Sequence, residues 1–317
     1  MRILVTGGAG FIGSQLVGAL RRREDEVVVL DNLDPTYDPA LKWENLRVEG
    51  VVTSPGPARL VQGDLRDAAA VQDALQGVDA VVHMAAVAGV RDSLSDPLRY
   101  EDINIRGTLV LLEQMRRAGK DRLVFASSSS VYGAPPGDGR FHEDLPADRP
   151  VSPYAATKRA AELLCHAAHA TWGLHCACLR FFTVYGPRQR PAMAISHFIR
   201  LALAGEQLPL FGDGSSVRDY TYVDDAVRGV CAALDRSRGY QVLNLGCGQP
   251  IRLDGLVQAI GEAVGRPVQV HHLPDQAGDV PRTHADIRRA AALLDWQPQV
   301  SLPEGLRTTV RWIQDQG

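Results

Sequence analysis

A glycine-rich turn near the N-terminus constrains the fold of this chain more than any other stretch. Residues 2–6 are rich in β-branched side chains, and Gly7, Gly10 and Gly13 follow at once, ahead of a helical pattern at residues 14–22. Gly7 permits a tight turn, Gly10 lets the backbone approach a pyrophosphate at the helix N-terminus, and Gly13 lets helix and strand pack closely. This order of strand, turn and helix is the one that dinucleotide binding requires.

A second strand supplies the acid that such a site needs. Residues 27–30 are apolar and lead directly into Asp31. A carboxylate at this point accepts hydrogen bonds from an adenosine ribose and repels a 2′-phosphate. The sequence therefore predicts NAD, rather than NADP, as the cofactor.

Strand and helix patterns continue to alternate through the first half of the chain. Strand patterns at residues 59–62, 79–84 and 122–126 are separated by helical patterns at residues 69–76 and 97–117. This alternation predicts an α/β fold with a Rossmann-type, doubly wound parallel sheet, whose ligand lies beyond the carboxyl ends of the strands. Residues 34–57 and 135–150 break the rhythm. We expect the first to be a surface excursion or a functional loop, and the second to help cover the site.

The regular alternation of strands and helices breaks beyond Gly186-Pro187. Helical patterns at residues 192–203, 224–234, 253–264, 287–294 and 303–314 are mixed with strand patterns at residues 217–223, 241–245 and 268–271. We expect residues 1–182 to form an NAD-binding domain that includes a helix at residues 152–171 and a strand at residues 174–182. Residues 183–317 would form mainly a smaller α/β substrate-binding region, with the chain free to cross back between the two.

Tyr154 and Lys158 form a reactive pair at helical spacing. If Pro153 opens a helix, the two side chains rise from the same face. A free tyrosine titrates near pH ~10, so a tyrosine base near neutrality requires its pKa to fall by about three units, roughly 4 kcal/mol. Lys158 and a cationic nicotinamide ring would supply that change, because nearby positive charge favours the phenolate. The spacing alone is common by chance. The preceding serines, Ser127 to Ser130, support the interpretation of Tyr154 and Lys158 as a catalytic pair.

Composition argues against several other classes of function. The net charge of −3 gives no sign of a nucleic-acid or anionic-membrane partner, and no apolar run approaches the roughly 18 residues of a membrane span. Five cysteines without Cys-x-x-Cys spacing indicate reduced thiols rather than disulfides or zinc. His271 and His272 point to opposite faces of a strand, so we predict no metal. With no signal peptide ahead of the first strand, we expect a cytoplasmic protein.

The motifs, taken in order, resemble those of the extended short-chain dehydrogenase/reductases over essentially the whole chain. The shared positions are Gly7-x-x-Gly10-x-x-Gly13, Asp64-Leu65, Ala85-Ala86, Asn104, Ser127 to Ser130, and Tyr154-x-x-x-Lys158. Within this family the chain is most similar to the UDP-glucuronate 4-epimerases. That narrower resemblance rests on the strings at residues 37–42, 88–93, 180–187, 190–194, 218–225 and 278–281.

This resemblance implies a mechanism. Tyr154 would take the proton from the sugar 4-hydroxyl while hydride passes to NAD, and Ser128 would hydrogen-bond the same oxygen. Lys158 would hold the nicotinamide ribose. The 4-keto sugar would then turn over and take the hydride back, so NAD stays bound. The cofactor contacts implied by the family are Gly7, Gly10, Phe11, Ile12, Gly13, Asp31, Asn32, Asp64, Leu65, Ala85, Ala86, Asn104, Tyr154, Lys158 and Phe181.

A uronic acid substrate adds a hazard, because a 4-keto group β to the C6 carboxylate favours loss of carbon dioxide. In the resembling epimerases that carboxylate is gripped by residues that correspond to Ser129, Ser130 and Arg190, and such a charge-assisted contact would fix its orientation. Arg188 is a further candidate for an anionic group. The remaining implied substrate contacts are Arg91, Thr183, Met193, Phe211, Arg218, Gln276, Asp279 and Arg282. The family commonly forms homodimers through the helices that carry Asn104 and Tyr154.

Several other functions share most of these residues. A UDP-glucuronate decarboxylase uses the same oxidation, and a UDP-glucose or UDP-N-acetylglucosamine 4-epimerase remains open if Arg190 points elsewhere. A 4,6-dehydratase needs an Asp-Glu pair where this chain has Ser129-Ser130. A non-catalytic NAD sensor is disfavoured, because such proteins tend to lose the tyrosine and lysine that are present here.

Overall fold

The structure, a computed structural model, describes residues 1–51, 57–134, 139–274, 278 and 280–316. The elements up to the serine run are, in order, β1 (Arg2–Thr6), α1 (Phe11–Arg22), β2 (Glu26–Asp31), α2 (Pro39–Val48), β3 (Ala58–Gln62), α3 (Ala68–Ala74), β4 (Ala80–His83), α4 (Val90–Ser95), α5 (Pro97–Tyr100), a π-helical segment (Glu101–Arg106), α6 (Gly107–Arg117), β5 (Arg122–Ser128) and a 3-10 turn (Ser129–Tyr132).

The later elements are longer helices and mostly short strands. They are α7 (Pro153–Trp172), β6 (His175–Phe181), β7 (Thr183–Tyr185), α8 (Ala194–Ala204), β8 (Leu208–Phe211), β9 (Val217–Arg218), β10 (Tyr220–Tyr222), α9 (Val223–Arg236), β11 (Tyr240–Leu245), β12 (Ile251–Arg252), α10 (Leu253–Val264), β13 (Val270–Leu273), α11 (Arg288–Leu294) and α12 (Leu302–Gln316).

A seven-stranded parallel sheet forms the centre of the molecule, which confirms the predicted fold. Its strand order is β11-β6-β5-β4-β1-β2-β3. The direction of strand succession reverses between β1 and β4, and ligands of such sheets bind in the crevice outside this point. The last strand, β11, comes from beyond residue 182 and pairs with β6.

Two apolar layers cover the sheet, one on each face. Strand residues Ile3, Val5 and Val82 belong to the layer under α1 and α9, whereas Leu4 and Val81 belong to the layer under α3, α6 and α7. Neighbouring residues of a strand point to opposite faces, so continuous apolar strands can serve both layers. The helices on both faces therefore hold the carboxyl ends of the strands in fixed positions.

The stretch at residues 34–57 is not a loop throughout, because α2 occupies part of it. The Asp38 side chain accepts from the Ala40 amide at 2.9 Å, and Pro39 occupies the first turn, where its missing N–H costs nothing. Residues 52–56 of this stretch lie outside the described part of the chain. In the other expected loop, residues 139–150 form no regular element apart from an isolated bridge at Phe141.

Most strands after β6 form short two-stranded sheets. They pair β10 with β7, β12 with β9, and β13 with β8. In the same region α8 packs against β8, and α10 packs against β12 and α8. Among the described residues, no helix has both the length and the apolar character to cross a bilayer.

Candidate active site

The glycine turn opens onto a cavity of about 240 Å³ at the point where β1 and β4 diverge. Gly7 has φ of +70°, and a Cβ on Gly13 would lie only 2.1 Å from the Gly7 carbonyl oxygen. Larger residues at these positions would therefore displace the turn. The predicted cofactor residues that line the cavity are Gly7, Gly10, Phe11, Ile12, Gly13, Asp31, Asn32, Asp64, Leu65, Ala85 and Ala86.

Asp31 is fixed at the rim of this cavity by backbone amides. Its two carboxylate oxygens accept from Ala9 at 3.0 Å and from Leu33 at 2.8 Å. The carboxylate thus stands at the end of β2, which is where an adenosine ribose would lie. The lining therefore fits NAD on its own geometry.

Asp64 forms a second fixed anion at the same rim. Asn32 donates to it at 3.0 Å, and Arg66 donates to it through Nη2 at 2.7 Å. Hydrogen bonding from Arg66 lowers the pKa of Asp64 to about 2. Asp64 is therefore ionised throughout the ordinary pH range.

The cavity has further lining residues for which the sequence predicted no role. Tyr37 and Lys42 come from the segment around α2, and the Lys42 ammonium lies 4.9 Å from the Tyr37 ring centre. Lys42 also donates to the Asp34 carbonyl at 2.7 Å. The segment that interrupts the alternation of strands and helices thus closes one side of the cavity, as the option of a functional loop had suggested.

Asn104 does not line the cavity but ties its wall to the tyrosine helix. Its amide accepts from Val87 N at 2.9 Å, and it donates to Val87 O at 3.0 Å and to Thr157 Oγ1 at 3.1 Å. The π-helical segment carries Asn104. Such segments are frequent at functional sites.

Tyr154 and Lys158 stand on the first turns of α7, which is capped by Ser152 and has Pro153 at its first position. The Lys158 ammonium is buried, donates to Ala126 O at 2.7 Å and lies 5.0 Å from the ring centre of Phe125. Burial lowers the pKa of Lys158 to about 8. The end of β5 therefore anchors this cation.

Tyr154 meets Ser128 at the end of β5. Burial raises the pKa of the Tyr154 phenol, while the hydrogen bond with Ser128 and the positive charge of Arg190 act to lower it. Ser128 also accepts from the Ser130 amide at 3.2 Å. Its hydroxyl is thus held between the serine turn and the phenol.

Arg190 lies between the cavity and Tyr154. It lines the cavity and donates to Ala88 O at 3.2 Å, and its charge acts on the pKa values of Tyr37 and Tyr154. Met193, also predicted at the substrate site, is beside it, with the sulfur 3.6 Å from Arg190 Nη2. Arg188 is held elsewhere, in an ion pair with Glu49 at 2.7 Å.

The other predicted substrate residues are spread over several elements. The Arg91 guanidinium lies 5.0 Å from the Phe211 ring centre. Arg218, on β9, follows Val217, which forms a backbone bridge with Arg282. Thr183 begins β7, Phe181 ends β6 opposite Ser128, and Ser129 and Ser130 are half-buried in the 3-10 turn. Gln276 and Asp279 lie outside the described residues.

The arrangement defines an α/β oxidoreductase-like site in which a dinucleotide cavity adjoins a tyrosine, a serine and a buried lysine. The family model described as "NAD dependent epimerase/dehydratase family" matches residues 3–246. The chain belongs to this family.

Individual relatives in this family include several sugar-nucleotide 4-epimerases. A UDP-glucuronate 4-epimerase of Thermodesulfobacterium geofontis is 41% identical over 317 residues, which covers 98% of this chain and 96% of the relative. The crystal structure of UDP-glucuronic acid 4-epimerase from Bacillus cereus, in complex with UDP-glucuronic acid and NAD, is 36% identical, with a TM-score of 0.94 and full coverage of both chains. A UDP-glucose 4-epimerase of Thermotoga maritima, with UDP-glucose, is 34% identical, with a TM-score of 0.91 over 100% of this chain and 99% of that one.

Proposed function

We propose that this protein is an NAD-dependent isomerase that converts UDP-glucuronate to UDP-galacturonate by epimerisation at C4. The observation that carries the proposal is the convergence of Tyr154, Ser128 and Arg190 beside a cavity that fits NAD. The family and the relatives named UDP-glucuronate 4-epimerase support the same activity. When bound, NAD supplies a hydride acceptor, and later a hydride donor, at C4.

Tyr154 is the general base and acid of the proposed reaction. Its phenol oxygen accepts the proton of the sugar 4-hydroxyl, and Ser128 hydrogen-bonds that same oxygen. The proton returns from Tyr154 when the sugar presents its other face. Lys158, anchored on Ala126 O, positions the nicotinamide ribose and adds positive charge to the site.

The proposed substrate carboxylate lies between the serine turn and Arg190. Ser129 and Ser130 are half-buried beside Ser128, and the Arg190 guanidinium donates to Ala88 O at 3.2 Å. A carboxylate held by a guanidinium keeps a fixed orientation. Loss of carbon dioxide requires the C5–C6 bond of the 4-keto sugar to align with the π orbitals of the carbonyl group. This contact would hold that bond out of alignment.

We assign the nucleotide to the short strands β8 and β9, which carry Phe211 and Arg218. Arg218 and Arg282 lie on neighbouring backbone and offer two positive charges for a pyrophosphate. Phe211, packed on Arg91, offers an aromatic surface for the uracil ring. We assign Thr183 and Met193 to the part of the substrate between these strands and the serines.

We also propose that the protein is a homodimer that assembles through α5, α6 and α7. Leu98 on α5, Leu109 on α6 and Leu163 on α7 are exposed by 78%, 45% and 53%. Both α5 and α6 pack against α7, and exposed apolar side chains on such a group of helices favour burial against a second copy. All five cysteines are free thiols, which fits a reducing, cytoplasmic compartment.

A product assay tests the proposed reaction. The purified protein, with no added NAD, is incubated with UDP-glucuronate, and the nucleotide sugars are identified by NMR. We expect UDP-galacturonate as the main product. Release of a UDP-pentose would instead identify a decarboxylase, and faster turnover of UDP-glucose than of UDP-glucuronate would overturn the proposed role of Arg190.

A further inference from the structure

Three of the five cysteines meet in the interior of the protein, and none of them lines the cavity. Cys176 and Cys178 are two apart on β6 and so share one face of the sheet, and Cys165 reaches them from α7. The three Sγ atoms all lie within 4.8 Å of one another, and Sγ of Cys176 is 3.8 Å from Sγ of Cys178. We call these residues the thiol cluster. It was not apparent from sequence spacing, because Cys165 belongs to a different element.

The distances suit a three-coordinate ion. With a metal–sulfur bond of about 2.3 Å, three sulfurs around a trigonal ion are spaced by about 4.0 Å. Small rotamer adjustments would bring the thiol cluster to that spacing. Each of the three side chains is 0% exposed, so water does not compete for the position.

The donor set also selects the kind of ion. Thiolates favour soft ions such as copper(I) and zinc, and structural zinc sites almost always have four ligands. Within the described part of the chain, no fourth His, Cys or carboxylate joins the thiol cluster. Three sulfurs without a fourth ligand favour copper(I) over zinc.

The Lys158 ammonium is a nearby cation that can offset the negative charge of an occupied thiol cluster. Lys158 precedes Cys165 by seven residues, two turns of α7, on the same face of the helix, and its ammonium is buried. A buried charge is tolerated when it is paired. The closest carboxylate on this face, Glu162, is already paired with Arg180 at 2.8 Å.

We propose that Cys165, Cys176 and Cys178 form a buried site for one copper(I) ion per chain. On binding, all three thiols release their protons to solvent, and each thiolate donates a lone pair to the ion. The occupied site then carries two net negative charges, one of which the Lys158 ammonium balances. No oxidation or reduction is involved.

Anaerobic titration of the reduced, full-length protein with copper(I) tests this proposal, with a chromophoric copper(I) chelator as competitor. We expect wild type to retain one equivalent per chain. Cys165→Ala and Cys178→Ala should each weaken copper(I) retention by at least ~100-fold. They remove direct ligands, and loss of a group that only hydrogen-bonds to a ligand already costs 10- to 100-fold. The matched control, Cys231→Ala combined with Cys247→Ala, keeps the thiol cluster and should bind like wild type.

Several results would overturn the proposal. Equal retention by wild type and Cys165→Ala would show that the cysteines serve only as small apolar side chains, and loss in the control would place the copper elsewhere. Retention of zinc in preference to copper would reject the assigned ion. X-ray absorption of wild type needs no variant: we expect three sulfur neighbours at about 2.3 Å, and nitrogen or oxygen neighbours would contradict the site.

Discussion

The environment of Tyr154 determines how the proposed chemistry runs at the scale of single residues. Burial raises the pKa of its phenol, and Arg190 and Ser128 oppose that rise. The sequence had suggested Lys158 and nicotinamide as the sources of positive charge. In the structure the Lys158 ammonium donates to Ala126 O, and the charge of Arg190 acts to lower the pKa of the Tyr154 phenol.

Removing the phenol oxygen tests the base directly. We expect Tyr154→Phe to reduce turnover by about 100- to 10,000-fold, since a general base contributes that much, while NAD still copurifies. Tyr100→Phe is the matched control, because the Tyr100 ring lies 6.2 Å from that of Tyr154 and its buried hydroxyl has no hydrogen-bond partner among the described residues. Steady-state assays and NAD content check both variants. Near-normal turnover of Tyr154→Phe would remove the assigned base.

Arg190 should set the pH dependence of the reaction. The base acts when deprotonated, so activity rises with pH through the pKa of Tyr154. Positive charge favours the phenolate, and its loss in Arg190→Met should move the rising limb of kcat/KM to higher pH. Arg190→Lys, which keeps the charge, should leave the limb close to that of wild type. An unmoved limb in Arg190→Met would mean that Arg190 does not act on Tyr154.

The residues that sequence reasoning found are those that belong to local motifs. Asp31, at the end of β2, faces the cavity as the strand pattern had indicated. The thiol cluster and the contact of Tyr100 with Tyr154 escaped notice, because each joins residues that are distant in sequence. No local spacing carries such information.

At the scale of elements, α7 is attached to the sheet by a buried ion pair. Glu162 is 0% exposed and makes two hydrogen bonds of 2.8 Å with Arg180 on β6, and Ser127 donates to it at 2.6 Å. Burial acts to raise the pKa of Glu162, but the bonds and charge of Arg180 bring it below its ordinary value. The stability from this lowered pKa is present above the ordinary carboxylate pKa and is lost as pH falls through the lowered one.

Breaking this pair should destabilise the whole fold. Glu162→Gln leaves the Arg180 charge buried and unpaired, and we expect a loss of about 3–5 kcal/mol in the free energy of unfolding. Urea denaturation measures it. Glu113→Gln, which affects exposed pairs with Arg116 and Arg117, is the control and should change stability little. Equal effects of the two variants would contradict the proposed anchoring of α7.

Element boundaries were predicted well where a pattern was strong and poorly where it was weak. The tyrosine helix begins at Pro153, as the proline had indicated. The helix α2 was missed because its apolar and charged residues are not separated onto two faces. Its capping Asp38 and first-turn Pro39 were the available signal. The π-helical segment was read as ordinary helix, since its widened turns leave no distinct composition.

At the scale of the whole molecule, the parallel sheet followed from the alternation of strands and helices, but its last member did not. The strand β11 follows α9 in sequence and returns to pair with β6. Pairing of this kind depends on which edge of the sheet is free in three dimensions. The pairings of the short strands opposite the sheet depend on tertiary contacts in the same way.

The exposed leucines predict the oligomeric state. We expect wild type to sediment at about twice the chain mass of 34.4 kDa, because burial of this apolar face favours a second copy. Leu98→Asp combined with Leu163→Asp should shift it to one chain mass. Leu293→Asp changes a similarly exposed leucine on α11 and should leave the dimer intact. A monomeric wild type would contradict the proposed interface.

The most direct test of the central claim follows the hydrogen at C4. UDP-glucuronate that carries deuterium at C4 is given to the protein with no added NAD, and the product is analysed by NMR and mass spectrometry. If the bound cofactor takes the hydride and returns it to the opposite face, UDP-galacturonate will retain the deuterium at C4. Replacement of the deuterium by hydrogen, or appearance of a UDP-pentose, would contradict the proposed reaction.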